Sequence, residues 1–261
     1  VYVGSSPGLS VLQEKQGDES NGSVKYYTKD FISEEMTGDI RGMWPLYGSG
    51  SIADGTTNVD DVSVKSSELT AKNANGTGMA YATGVRGTAI TFDGTDDYLC
   101  TDTNDDDTCD ADADLDMATN MSFGAWIKSS SATRQAIISR YGGEGALTNA
   151  WYSIEFDVTT GYASIQMRDD TDGTTQTLSD AIDHTDNNWH QVIAVREGTT
   201  IRIYVDGTQT ATTTLTETGT YTFDDPFIIG MVGTANTAPF SGTIDEPFVT
   251  AEALTPSQIK H

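Results

Sequence analysis

The run His190-Gln191-Val192-Ile193-Ala194-Val195, then Ile201-Arg202-Ile203-Tyr204-Val205-Asp206-Gly207, then residues 209–214, decides the architecture. Both apolar runs are rich in β-branched and aromatic residues and too short for helices. Asp206-Gly207 between two such segments is a strong hairpin signal, because both residues tolerate the positive φ of a tight turn. Working outward, the same kind of run recurs at Phe123-Gly124-Ala125-Trp126-Ile127, Ala136-Ile137-Ile138-Ser139 and Trp151-Tyr152-Ser153-Ile154-Glu155-Phe156. It recurs again at Ala163-Ser164-Ile165-Gln166-Met167 and Phe227-Ile228-Ile229. Short strands at roughly regular spacing, separated by turn residues, predict an antiparallel sandwich or jelly roll. Helix signals are confined to Ser33-Glu34-Glu35-Met36 and to Ser257-Gln258-Ile259-Lys260 after Pro256.

The chain has 261 residues with 14 Lys and Arg against 39 Asp and Glu, a formal net charge of −25. Phosphate backbones and anionic membrane surfaces repel such a chain, so nucleic-acid binding is excluded and membrane insertion is not expected. Apolar residues make up 36%, enough to bury a sizeable core, so acidity does not imply disorder. The length fits one large all-β domain or two small ones. No apolar stretch is long enough for a spanning helix, and no signal peptide opens the sequence. A first residue of Val1 suggests a mature product or an excised fragment.

Cys100 and Cys109 lie close together around a very polar loop, and we expect them to pair, which implies an oxidising compartment. Residues 1–39 read differently from the rest. A strand, a turn at Ser6-Pro7-Gly8 and a second strand, with the short helix signal after them, resemble the closing part of a β-propeller blade. We expect them to form an attachment segment that contacts a second copy or another protein, ahead of a domain at 40–261. The glycosylation-like triplets at Asn21, Asn75 and Asn120 are short patterns common by chance.

From about Gly42 to Lys260 the order of motifs is similar to the laminin-G-like, concanavalin A-like jelly roll. The landmarks are Gly42-Met43-Trp44-Pro45-Leu46, Ala89-Ile90-Thr91-Phe92-Asp93-Gly94-Thr95-Asp96-Asp97-Tyr98-Leu99 and Met121-Ser122-Phe123-Gly124-Ala125-Trp126-Ile127-Lys128. They continue with Asn188-Trp189-His190-Gln191-Val192, Ile203-Tyr204-Val205-Asp206-Gly207, Phe240-Ser241-Gly242-Thr243-Ile244-Asp245-Glu246 and Ala253-Leu254-Thr255-Pro256-Ser257-Gln258-Ile259. The resemblance implies two stacked antiparallel sheets, one of them concave, and a glycan held in the concave groove or in loops at one end. It also implies a structural calcium ion (Ca2+) tying the closing strand to an early loop, which places Asp93, Gly94 and Asp245 at the metal. Trp126 and Trp189 fall within landmarks where core packing is expected.

Between Asp93 and Asp116 there are eleven Asp and no Lys or Arg. Within this stretch Asp102, Asn104, Asp106 and Asp110 have the alternate spacing of a calcium loop, since a chain wrapping a cation turns every second side chain inward. The sixth position lacks glycine and the twelfth is Ala113, so an EF-hand proper is not expected. The readings are a second, weaker calcium site or a hydrated loop tied by the disulfide.

Glycan recognition needs aromatic faces and planar polar side chains. Arg140, Tyr141, Trp151, Tyr152, Gln166, Arg168 and His190 supply those types. Strand alternation sends about half of them into the core. Arg140, Tyr141, Tyr152, Gln166 and Arg168 are the candidate ligand-binding set, with Tyr152, Gln166 and Arg168 expected at the surface. The Glu-x-Asp-x-x-Glu array of hydrolases on this fold is not found; Glu155 and Asp157 come nearest. Arg140, Gln166, His190 and Tyr204 are the residue types a polysaccharide lyase uses, without its spacing. The leading expectation is a non-catalytic extracellular recognition module that binds a glycan or polysaccharide with calcium support. A structural or adhesion component of a virion, appendage or cell surface is the first alternative, and a lyase or hydrolase the second.

Overall fold

A computed structural model describes residues 39–259 except 56–57, 64, 66, 74–75, 105, 117–118, 142–149, 158–159, 169–173, 217–222 and 235–236. The expected attachment segment at 1–39, apart from residue 39, lies outside the described residues. The chain runs through β1 (Ile40–Met43), β2 (Asn58–Val59), β3 (Leu69–Asn73), β4 (Ala80–Thr83), β5 (Thr88–Asp93) and β6 (Asp97–Thr101). It continues with β7 (Asn120–Lys128), β8 (Gln135–Arg140), β9 (Trp151–Phe156), β10 (Tyr162–Arg168), β11 (Gln176–Asp183) and β12 (His190–Glu197). The last strands are β13 (Thr200–Val205), β14 (Thr208–Thr214), β15 (Phe227–Ile229) and β16 (Ser241–Thr250), followed by the short helix α1 (Pro256–Ile259).

These strands form two eight-stranded antiparallel sheets. The first has the order β14-β13-β12-β7-β16-β5-β4, with β1 also paired to β16; the second has the order β11-β10-β9-β8-β15-β6-β3-β2. This is the predicted two-sheet jelly-roll sandwich. Asp206 and Gly207 both have positive φ, 50° and 73°, so the hairpin signal between β13 and β14 becomes a primed turn whose twist suits the strands it joins.

The core follows directly from alternation. Phe123, Ala125 and Ile127 of β7, Val192 and Ala194 of β12, and Ile201, Ile203 and Val205 of β13 point inward from the first sheet. They meet Tyr152, Ile154 and Phe156 of β9, Ala163, Ile165 and Met167 of β10, and Phe227 and Ile229 of β15. Trp44 stacks on Phe227 with ring centroids 5.1 Å apart and donates its indole N–H to the Ser67 carbonyl at 2.7 Å. A second cluster on the outer side of the first sheet joins Ile193, Val195, Tyr204 and Phe248 to Leu254 and to Ile259 of α1. Trp126, for which core packing was expected, packs half-buried against this outer cluster rather than against the larger one between the sheets. Trp189 is half-buried.

Cys100 and Cys109 are bonded to each other. Cys100 lies on β6 among Ile228 and Met231, so the bridge pins the acidic loop onto the outer side of the second sheet. Among the described residues no helix is long and apolar enough to cross a membrane.

Candidate functional site

With Tyr152, Ile154 and Phe156 turned inward, the alternate residues Trp151, Ser153 and Glu155 of β9 face outward from the second sheet. On β10 the outward residues are Ser164, Gln166 and Arg168. Strand register then assembles cross-strand rows. Arg168 stands opposite Trp151, Gln166 opposite Ser153 and Thr177, and Ser164 opposite Glu155 and Ser179. Beyond β8, Tyr141 meets Trp151 edge to face with centroids 5.3 Å apart. One end of this face is therefore aromatic, its middle is made of small hydroxyl and amide groups, and its other end is ionic.

The ionic end is built around Glu155, which is 1% exposed. Arg134 grips it with two bonds, Nε to Oε2 at 2.8 Å and Nη2 to Oε1 at 3.3 Å. Gln166 donates its amide N–H to Glu155 Oε1. Burial pushes the Glu155 carboxyl above its ordinary range, and the Arg134 and Gln166 donors pull it back. Ser139 and Ser164 complete the buried floor; Ser139 donates to the Met231 carbonyl at 2.7 Å and Ser164 accepts from Ser179 at 2.9 Å.

Tyr141, Gln166 and Arg168 of the candidate ligand set thus share this face with Trp151. Arg140 and Tyr152 do not. They are a cross-strand pair of the opposite parity, and both are fully buried. Tyr152, expected at the surface, packs against Phe123 and Phe223. Arg140 lies under Phe223, 4.7 Å from the ring centroid, and pairs with Asp116 at 3.0 Å. Its guanidinium also donates to the carbonyls of Asp225 and Asp112, at 3.1 and 2.8 Å. Trp151, Arg134 and Glu155 belong to the face and lie outside the candidate set, Trp151 having the right residue type only. Glu155 was noted only as half of an incomplete catalytic array, and Arg134 sits before β8, where no strand pattern marks it.

The residues expected at one calcium ion are divided by strand register. Asp93 of β5 pairs with Ser241, whereas Asp245 lies four residues further along β16, about 13 Å away at the rise of a strand. Gly94, with φ +79°, backs onto Ser241: a Cβ there would approach the Ser241 Cβ at 2.7 Å. Asp93 instead groups with Asp96 and Asp97, each offering an oxygen within 4.8 Å of the others. Oxygens around one calcium ion at about 2.3–2.6 Å can be up to about 5 Å apart, so this spacing suits a single hard cation. Asp97 is fully buried; its Oδ2 accepts from the Asp93 amide at 2.8 Å, and its Oδ1 has no hydrogen-bond partner among the described residues. Burial, reinforced by the Asp93 and Asp96 charges against the Asp93 amide bond, raises its carboxyl to about 6. A buried carboxylate oxygen without a donor suits a cation.

Asp102, Asp106 and Asp110 form a second group of the same compactness. Asn104 lies between them in sequence, and its Oδ1 accepts from the Asp106 amide at 3.1 Å. The carboxyls here already have donors. Asp102 accepts from Thr70 Oγ1 and the Asp107 amide at 3.0 and 3.1 Å, Asp106 from the Thr108 amide at 3.0 Å, and Asp110 from Thr103 Oγ1 at 3.1 Å. The alternation legible in the sequence is here a chain of side-chain-capped turns.

Asp245 serves the turn between β4 and β5. Its Oδ2 accepts from the amides of Val85 and Arg86 at 2.7 and 3.1 Å, while its buried Oδ1 has no partner among the described residues. Burial outweighs those bonds and raises the carboxyl from 3.8 to about 6. A raised folded-state value means that its stabilising contribution is complete below about pH 4 and is lost as pH rises through about 6. Asp245→Asn is expected to remove about 2–3 kcal/mol of the decline in stability between pH 4 and 7. Urea unfolding at both pH values checks this; an unchanged decline would contradict it.

Comparison with known proteins agrees with this architecture. Domain 4 of AbnA, a GH43 extracellular arabinanase from Geobacillus stearothermophilus, solved in complex with arabinotriose, superposes with a TM-score of 0.63 at 18% identity. The match covers 85% of this chain and 97% of that domain. The binding domain of Paraclostridial Mosquitocidal Protein 1 gives 0.62 at 13% identity over 85% of this chain and 51% of its own. The ligand-binding domain of botulinum neurotoxin serotype D, solved with N-acetylneuraminic acid, gives 0.56 at 13% identity over 80% and 48%. The chain thus spans about half the length of these two toxin domains. No curated protein sequence matches it. The family described as the concanavalin A-like lectin/glucanases superfamily matches residues 93–260, from the Asp93 turn through the outer face to α1, and the chain belongs to that superfamily.

Proposed function

We propose that the protein is an extracellular carbohydrate-binding module whose ligand lies on the outer face of the second sheet. The observation that carries this reading is the row formed by Tyr141, Trp151 and Arg168, continuous with Gln166 on the same face. An aromatic ring offers a flat apolar surface to the C–H face of a sugar, and the neighbouring planar amide and guanidinium serve its hydroxyls. Superposition on domains solved with arabinotriose and with N-acetylneuraminic acid supports the reading, and the Cys100–Cys109 bridge supports an oxidising exterior. A glycan array followed by calorimetry tests it. Binding of at least one glycan class is expected, and a panel on which none binds or raises the melting temperature would overturn the proposal.

The Asp93–Asp96–Asp97 group holds calcium in this reading, and the ion offsets the charge of the buried Asp97 carboxylate. After removal of metal with a chelator, calcium at a hundred times its Kd is expected to stabilise the fold by about 2.7 kcal/mol. Asp97→Asn should abolish that gain and Asp106→Asn should retain it. Thermal melts with and without calcium distinguish the two; equal responses in both variants would remove the site from Asp97.

A further inference from the structure

We infer, resting on the carbohydrate-binding reading, that the ligand of the outer face is a single glycan chain with free edges and not the flat surface of a crystalline polysaccharide. The rings of Tyr141 and Trp151 meet at an interplanar angle of 88°. Two planes so nearly perpendicular cannot both lie along one flat surface, so at most one of these rings stacks on a level array of sugars. Packing sets that angle. An edge-to-face pair with centroids 5.3 Å apart is attractive in its own right. Gly233, with φ +62°, closes in on Tyr141 as well: a Cβ there would lie 3.0 Å from both the Tyr141 Cδ1 and the Tyr141 carbonyl oxygen.

The face is also stepped. Residues 230–233 and 237–238 form a hairpin in which the Val232 amide donates to the Thr237 carbonyl at 2.9 Å. It is tied to β8 at both ends, by the Gly230 amide on the Ile137 carbonyl at 3.0 Å and by the Ala136 amide on the Ala238 carbonyl at 2.8 Å. Between them Ser139 Oγ donates to the Met231 carbonyl at 2.7 Å, and Met231 packs on Ile228 and Cys100 on the outer side of the second sheet. The hairpin backbone therefore lies one side-chain layer above β8 and β15, on the flank of Tyr141. On the other flank β10 places Arg168 opposite Trp151 and Gln166 opposite Ser153. A guanidinium and an amide beside an aromatic ring suit hydroxyls on the edge of a chain. In a crystalline polysaccharide those edge hydroxyls bond the neighbouring chains, and the sugar faces are packed level, which perpendicular rings beside a raised flank do not match.

Pull-down and calorimetry of the whole chain at neutral pH test the inference. The probes are soluble arabinan, xylan and mixed-linkage β-glucan with their oligosaccharides, against microcrystalline cellulose and crystalline chitin. At least one soluble polymer is expected to bind and to be displaced by an oligosaccharide of the same linkage, with retention on either crystalline solid at least about tenfold weaker. Tyr141→Ala removes one of the two rings from a half-buried position, so it should weaken binding of the soluble chain by about threefold to tenfold at an unchanged melting temperature. Undiminished binding by the folded variant would take the ring angle out of the site and overturn the inference. Should Tyr141→Ala not fold, the wild-type comparison of soluble and crystalline probes decides alone. Retention on a crystalline solid as tight as binding of a soluble chain, or binding that oligosaccharides do not displace, would overturn the inference while leaving carbohydrate binding intact. Failure of every probe to bind would overturn both.

Discussion

Replacing Arg140 with alanine is expected to destabilise the protein by about 3–5 kcal/mol. Arg140 is fully buried, yet it makes one ion pair and donates to the carbonyls of Asp112 and Asp225. These bonds fasten the segment before β7 and the segment before β15 to the end of β8, where Phe223 covers the guanidinium. Truncation would leave the carbonyls without donors, open a cavity beside Tyr152 and strip Asp116 of its counter-charge. Burial already raises the Asp116 carboxyl, with Arg140 as the main influence pulling it down. In a domain of this size the loss corresponds to a fall in melting temperature of about 10 °C. Urea unfolding measures it directly, and a loss below about 1 kcal/mol would show that the guanidinium is not the tie described. Arg140→Met combined with Asp116→Leu should recover part of the loss, because removing both charges abolishes the penalty of an unpaired one.

Trp151→Ala is expected to weaken glycan binding by about ten- to a hundredfold, or about 1.4–2.8 kcal/mol, while leaving folding nearly unchanged. Trp151 is half-buried on the outer face and contacts Tyr141 edge to face, so its loss removes a stacking surface without opening the core. Trp151→Phe should retain part of the affinity, since a smaller ring still presents an apolar face. Titration of the variants with whichever glycan the wild type binds makes the measurement. Undiminished binding by Trp151→Ala with an unchanged melting temperature would move the ligand site away from this face.

These two arginine and tryptophan effects depend on parity. Trp151 and Tyr152 are neighbours in sequence, and so are Arg140 and Tyr141, but the pleat sends one of each pair to the core and the other to solvent. The amino-acid types marked all four as possible sugar contacts. Only the register between β8 and β9, with Arg140 opposite Tyr152, showed which two are internal.

Much of the fold was legible because alternation and turn chemistry are local. The runs at β7, β8, β9, β10, β12, β13 and β15 stand out by their β-branched and aromatic content. Asp206-Gly207 declares its turn through the backbone it demands. Strand β11 escaped this reading because one of its inward positions is Asp180, buried and satisfied by His184 at 2.7 Å. A polar residue at a core position breaks the pattern that identifies a strand.

By itself the sequence determined the sandwich, the pairing partners Cys100 and Cys109 and the concentration of negative charge between Asp93 and Asp116, since each follows from residue type and near-neighbour spacing. Tertiary structure decided how that charge is used. It placed Asp97 in the interior with an oxygen that has no donor among the described residues, and it engaged Asp102, Asn104 and Asp106 in capping their own loop. It also carried Asp245 about 13 Å along its strand from Asp93. The physical reason is that coordination depends on which oxygens already accept hydrogen bonds, which the detailed turn geometry and burial of the loop set, and on which strands lie side by side, which long-range register sets.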